Sequence, residues 1–229
     1  AGRAFATARP RLLEDRLLNE DGPEPPGLLQ LPESASPQAG PPDLLTADEA
    51  RALIRSASNR APTGIRNRAL IATMYRSGLR PGEALGLDMQ DVDIEAGVIR
   101  VPPRKGGKVR LVGVDETTRS MIARWLDRRE KRGIPATGRL FCTLAGDPLK
   151  AAYVRELLPR LARKAGIDKR VHPLGLRYAN AAELSLEGFP TALIDRHLGV
   201  AITASARRYQ PEFAPEEVVT AVASRQWEL

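Results

Sequence analysis

One stretch of this sequence alternates with a period of two. Val98-Ile99-Arg100-Val101 and Val109-Arg110-Leu111-Val112-Gly113-Val114 place apolar side chains at alternate positions. Between them runs Arg104-Lys105-Gly106-Gly107-Lys108, rich in glycine and positive charge. Residues 92–114 are therefore expected to hold a β-hairpin with a basic tip. Around it the spacing is helical. Thr46-Ala47-Asp48-Glu49 is a capping box, in which the threonine hydroxyl takes the third amide and the glutamate reaches back. Leu45, Ala50, Leu53 and Ile54 then mark the apolar face of a helix ending near Asn59. A second helix is expected from Thr63 to Ser77, with Leu70, Ile71 and Met74 inward and Gly78 as its stop. Beyond the hairpin, helices are expected over about 115–131, 150–165, 176–187, 190–198 and 214–226. The fold class is mixed, mainly α with one small antiparallel β-sheet.

Charge and proline divide the 229 residues unevenly. Residues 1–42 are net −2 and the remaining 187 net +9, and seven of the 19 prolines fall within 22–42. A stretch so poor in apolar residues cannot offset its ordering entropy and reads as an extended linker. Ahead of it, residues 11–18 have the spacing of one short helix. The expected organisation is a short helix and Pro-rich linker over 1–42, too short to fold as a separate domain, followed by one domain over 43–229. The basic balance of that domain favours a polyanionic partner. A lone cysteine, Cys142, excludes a disulfide framework, and with only two histidines the chain lacks a His/Cys zinc cage. No apolar run is long enough to span a membrane, and no signal-peptide core opens the sequence. These features fit a cytoplasmic, nucleic-acid-associated protein.

Four elements then occur in a telling order: Gly78-Leu79-Arg80-Pro81-Gly82-Glu83-Ala84-Leu85, the hairpin tip with Lys105, Leu176-Arg177, and Leu198-Gly199 followed ten residues after the glycine by Tyr209. Each motif alone is weak; their order and spacing are specific. Together they resemble the catalytic domain of the tyrosine recombinases, the phage-integrase family of site-specific DNA recombinases, over residues 44–229. The resemblance implies the family's DNA breaking-rejoining fold and a reaction on duplex DNA. Charge builds on the phosphodiester in the transition state, and guanidinium groups can fork onto its two non-bridging oxygens. By resemblance Arg80 and Arg177 do this. Lys105 is the general acid that protonates the departing 5′ oxygen, with Lys108 as the fallback. Tyr209 is the nucleophile that forms a 3′-phosphotyrosyl bond. Because that bond conserves the phosphodiester's energy, neither ATP nor a metal is required and no cofactor is expected. Gly106-Gly107-Lys108 also lacks the preceding glycine and following Ser/Thr of a P-loop.

Two positions depart from the family pattern. In Val171-His172-Pro173-Leu174-Gly175-Leu176-Arg177-Tyr178 the family's histidine position is Leu174, and Tyr178 replaces a trailing histidine. After Leu198-Gly199 the family has His or Trp where this chain has Val200, with Tyr209 still nine residues on. Neither leucine nor valine donates a hydrogen bond or moves a proton. Acid–base groups contribute about 10²–10⁴-fold, so two losses imply slowed cleavage. The alternative is a catalytically degenerate DNA-binding paralogue. His172 and His197 lie near the two vacated positions and read as a surface loop residue and a half-buried helix residue. Tyr75, Tyr153 and Tyr178 read as packing residues, Glu83 as a salt-bridge partner of Arg80, Arg128-Arg129-Glu130-Lys131-Arg132 as a solvated face and Cys142 as buried. The final helix, opening at Pro215 with Glu216 and Glu217 in its first turn, has an apolar stripe that could pack in cis. The resemblance implies instead that it docks onto a neighbouring protomer, joining four subunits on paired sites.

Overall fold

The computed structural model describes residues 44–103, 109–200 and 213–229. Its centre is a helix buried nearly all round. Helix α2 (Pro62–Arg76) opens with proline at its first position, where the missing N–H costs nothing. Ile65, Ala69, Leu70, Ile71, Ala72, Met74 and Tyr75 along it are all buried. A helix with no solvated face must be enclosed by others. Helix α1 (Ala47–Ser56), α4 (Glu116–Glu130) and α6 (Pro173–Leu186) supply the enclosure. The expected capping box is present on α1: Glu49 N–H donates to Thr46 Oγ1 and Thr46 N–H to Glu49 Oε2. Helix α3 (Pro81–Gly86), absent from the expected elements, follows α2 after a four-residue turn. The remaining helices among the described residues are α5 (Ala151–Lys164), α7 (Thr191–Leu198) and α8 (Pro215–Ala223).

The sheet is an antiparallel meander, β1 (Val92–Asp93), β2 (Val98–Val101) and β3 (Arg110–Gly113), in that order. Its register pairs Ile99 with Val112 and Val101 with Arg110. Ile99, Val101 and Val112 face the core. The two-residue β1 was not expected, because two residues carry no periodicity to read.

Three sequence expectations are corrected by packing. Helix α6 begins three residues before the expected 176, because Pro173 takes its first position and His172 caps it: the Gly175 N–H donates to His172 Nδ1 at 3.2 Å. His172 is exposed as expected, but it ends a loop by capping a helix. Within the basic run 128–132, Arg129 is buried and donates to the carbonyls of Pro135, Arg139 and Leu140, organising the chain after α4 from inside. Tyr178 is exposed rather than packed.

The C-terminal segment is seated on its own chain. Val218, Val219 and Val222 of α8 are buried, and the helix lies against β3. Beyond it, Arg225 forms ion pairs with Glu183 (2.9 Å) and Glu187 (2.7 Å), while Arg76 pairs with Asp115 (2.7 Å) and Glu183 (2.9 Å). The Trp227 ring lies 5.1 Å from the Arg76 guanidinium carbon. One half-buried carboxylate, Glu183, thus joins the end of α2, helix α6 and the tail.

Candidate functional site

The turn from α2 to α3 carries the first of the sequence-identified arginines. Gly78 there has φ +58°, and a Cβ on it would lie 2.5 Å from Leu198 Cδ2 and 2.8 Å from Asn180 Oδ1. Only glycine accepts both the left-handed backbone and that proximity. The close approach brings the turn against the end of α7. Arg80 then caps α3, with its backbone N–H donating to Glu83 Oε2 at 2.8 Å and its Nη1 donating to Glu83 Oε1 at 3.0 Å. Glu83 is buried and holds the arginine as the sequence implied.

Arg177 comes from the second turn of α6 and is only 4% exposed. Its Nη1 donates to the Gly78 carbonyl (2.7 Å) and its Nη2 to the Leu198 carbonyl (2.6 Å). Three chain segments distant in sequence are therefore tied at one guanidinium. Burial lowers the pKa of Arg177 to about 10, aided by the charges of Arg80 and Arg110 and opposed by Glu83. It remains protonated at neutral pH. Two of its five guanidinium N–H donors are spent on these carbonyls.

Arg110, which sequence reasoning passed over, is the third cation of the group. It lies on β3 beside the hairpin tip, and its Nη2 and Nη1 donate to Glu83 Oε2 and Oε1 at 3.1 and 3.4 Å. The signal was present in the sequence as a lone charged residue in the apolar strand, but nothing local says which carboxylate it meets. Among the described residues Arg80, Arg110 and Arg177 are opposed by Glu83, which gives the cluster two more positive than negative charges. Such a partly buried surplus of guanidinium charge favours an anion over a cation beside it.

The two departures from the expected pattern are near these residues in sequence, Leu174 three residues before Arg177 and Val200 next to Gly199. Leu174, in the first turn of α6, is 37% exposed, and Val200, just after α7, is 44% exposed. Neither is buried in the core, so each presents apolar surface to solvent. Lys105, its neighbour Lys108 and Tyr209 lie outside the described residues. Among the described residues no group of His, Cys, Asp or Glu is arranged to hold a metal ion.

His197 corrects another expectation. It is 0% exposed, not half-buried, and neither ring nitrogen has a hydrogen-bond partner among the described residues. Burial pushes its pKa down to about 3, with Arg110, Arg225 and Arg177 adding to the effect. The neutral ring is thus stabilising above the unfolded value of about 6.5, and this contribution is lost as pH falls from 6.5 towards 3. We expect unfolding titrations in urea to show about 2 kcal/mol lost between pH 7.5 and pH 5 through this residue. In His197→Met the pH dependence over that range should flatten by the same amount. An unchanged slope would mean that the histidine does not titrate as its surroundings demand.

Comparison with known proteins places this arrangement. The profile of the phage integrase family matches residues 43–214. Tyrosine recombinase XerC of Halalkalibacterium halodurans is 33% identical over 164 residues, covering 69% of this chain and 54% of that protein. Tyrosine recombinase XerD of Ralstonia nicotianae is 34% identical over 170 residues, covering 73% and 55%. The chain spans about half the length of these curated relatives. Among solved structures, a XerA recombinase superposes with TM-score 0.64 at 26% identity, covering 77% of this chain and 68% of that one. The XerH site-specific recombinase bound to difH substrate, in its pre-cleavage complex, gives 0.62 at 28%, covering 73% and 50%. In fold alone, the Tn1549 transposon integrase in complex with a circular intermediate DNA gives 0.61 at 18%, covering 80% and 66%.

Proposed function

Because this chain belongs to the phage integrase family, we propose that it is a site-specific recombinase that cleaves and rejoins duplex DNA through a 3′-phosphotyrosyl intermediate. The carrying observation is the cluster of Arg80, Arg110 and Arg177 around the carboxylate of Glu83. Arg80 and Arg177 offer forked donors to one phosphodiester, and the cluster as a whole adds surplus positive charge. In this reading Arg80 and Arg177 hold the non-bridging oxygens of the scissile phosphate. The Tyr209 oxygen attacks phosphorus as its phenolic proton passes to water, the P–O bond to the 5′ oxygen breaks, and Lys105 gives that oxygen a proton. The 3′-phosphotyrosyl bond keeps the phosphoryl group activated, so a second strand's 5′ hydroxyl can reverse the step without ATP. The guanidinium charges are worth most as negative charge grows on the phosphoryl oxygens, because they are already in place and little solvent must reorganise.

Leu174 and Val200 favour a specific second reading. With two exposed apolar side chains where the family has proton-moving or hydrogen-bonding groups, cleavage is slow or lost, and the protein acts by occupying DNA. Residues 1–42, with the expected short helix and Pro-rich linker, lie outside the described residues. The domain by itself is expected to bind duplex DNA chiefly through phosphates, with steep salt dependence. The apolar face of α8 is occupied in cis, so assembly of four subunits through this helix would require it to leave β3.

Covalent trapping decides between these readings. The protein is incubated with nicked suicide duplexes tiled across the DNA flanking its coding sequence, and adducts are resolved on denaturing gels. An adduct that disappears in Tyr209→Phe is the expected result. Salt-sensitive retention of duplex with no adduct would establish the binding reading instead.

A further inference from the structure

We propose that Arg110 is a positioning residue, one that sets the geometry of the phosphate-binding arginines without touching the phosphate itself. This rests on the recombinase reading above. Glu83 is shared between two arginines approaching from different elements. Arg80 reaches it from α3's own N-terminus, and Arg110 reaches it from β3, engaging both carboxylate oxygens. A carboxylate gripped on one side by its local neighbour alone can follow that neighbour's motion. A second fork from a paired strand removes this freedom. Arg110 is itself anchored by the β2–β3 register, opposite Val101.

The same side chain also reaches the other half of the cluster. Gly199 has φ +64°, and a Cβ there would lie 2.6 Å from Arg110 Nη1 and 3.0 Å from its Cδ. Arg110 therefore packs directly on the backbone between Leu198, whose carbonyl receives Arg177, and Val200. One guanidinium touches the Arg80 support on one side and the Arg177 support on the other. It also follows by two residues the hairpin tip that carries Lys105 and Lys108. In chemical terms it joins three motifs that the chain keeps about a hundred residues apart, from Arg80 to Arg177. A lysine keeps the charge but cannot fork onto both oxygens of Glu83, and this separates positioning from simple attraction.

The test uses whichever protein gives a measurable adduct, the natural chain or its Leu174→His, Val200→His variant. Single-turnover adduct formation at saturating protein is measured with duplex affinity by fluorescence anisotropy. Arg110→Met should slow adduct formation about 10²-fold, the scale of a misplacement near 1 Å, while duplex affinity changes less than about threefold. Arg110→Lys should recover less than about a tenth of the lost rate, because the fork is missing. In a Glu83→Gln background, adding Arg110→Met should cost less than about threefold, since both changes break one linkage. Full recovery in Arg110→Lys, loss of duplex affinity in step with rate, or multiplying effects in the double variant would each overturn the proposal.

A second arm does not depend on cleavage. Inorganic phosphate is titrated while the Gly78 and Gly199 amide resonances are followed. Arg110→Lys should weaken phosphate binding at least about fivefold although charge is retained. Equal affinity in parent and Arg110→Lys overturns the proposal, and it does so even if no background forms an adduct and the recombinase reading itself has failed.

Discussion

Restoring histidine at both departed positions, in Leu174→His with Val200→His, should raise the rate of covalent adduct formation by at least about 10²-fold. Each acid–base group contributes about 10²–10⁴-fold, and the natural residues can do no proton chemistry. The two sites suit the exchange physically. Both side chains are substantially exposed, so an imidazole enters without overfilling the core. The backbone at each is fixed independently of the side chain: Leu174 lies between capping His172 and the rest of α6, and the Val200 N–H donates to the Asp195 carbonyl at 2.9 Å. Stability should therefore stay within about 0.5 kcal/mol of the natural chain. The measurement is single-turnover trapping on a nicked duplex, with Tyr209→Phe introduced into the restored variant as the blank. A gain below about threefold, in a variant that binds duplex normally, would mean that these positions do not limit the reaction. No adduct from either protein would remove strand cleavage from the proposed function and leave DNA binding.

The largest effect on stability is expected at Glu183, a residue that belongs to none of the sequence motifs. Its carboxylate neutralises Arg76 and Arg225, both buried, at 2.9 Å each. Glu183→Ala strands two guanidinium groups where water cannot fully reach them, although each keeps one other carboxylate. Breaking a buried pair from one side typically costs about 3–5 kcal/mol. For a chain of this size that should lower Tm by about 10 °C. Glu187, more exposed and partnering Arg225 alone, should cost about 1 kcal/mol as Glu187→Gln. Differential scanning calorimetry of the two variants checks the contrast. A Glu183→Ala protein melting within about 3 °C of the parent would mean that the arginines relax into solvent and that the network does not hold the tail. Function follows stability here. The Arg76 carbonyl receives Asn180 Nδ2 at 3.1 Å, just before the turn that offers the Gly78 carbonyl to Arg177. A loosened tail should therefore also slow any chemistry that depends on that turn.

Much of the molecule is legible in the linear chain because local rules govern it. The capping box at Thr46, the burial of α2's apolar residues, the β2–β3 hairpin and the proline that opens α8 are all decided within a few residues of the chain. The link between Arg80 and Glu83 is of the same kind, since a three-residue separation at a helix start places the carboxylate under the cap. The errors have a common cause. His197 was misjudged because a histidine at helical spacing carries no mark of whether its face meets solvent or three arginines. Arg129 sits in a basic run that looks solvated throughout, yet the chain after α4 folds back over it. Tyr178 follows a buried arginine, and helical rotation turns it outward.

Fold class, family and motif spacing are readable in the linear chain, since they follow from periodicity and from residue types at set separations. Tertiary structure alone decided that Arg110 completes the charge cluster, that Arg177 spends two donors on the carbonyls of Gly78 and Leu198, and that Glu183 binds the tail to the core. The physical reason is range. Hydrogen-bonded turns and apolar stripes are selected within about one helical turn, whereas a charge has no preferred partner in the sequence. It meets whichever opposite charge or carbonyl the packing of distant elements brings within about 3 Å.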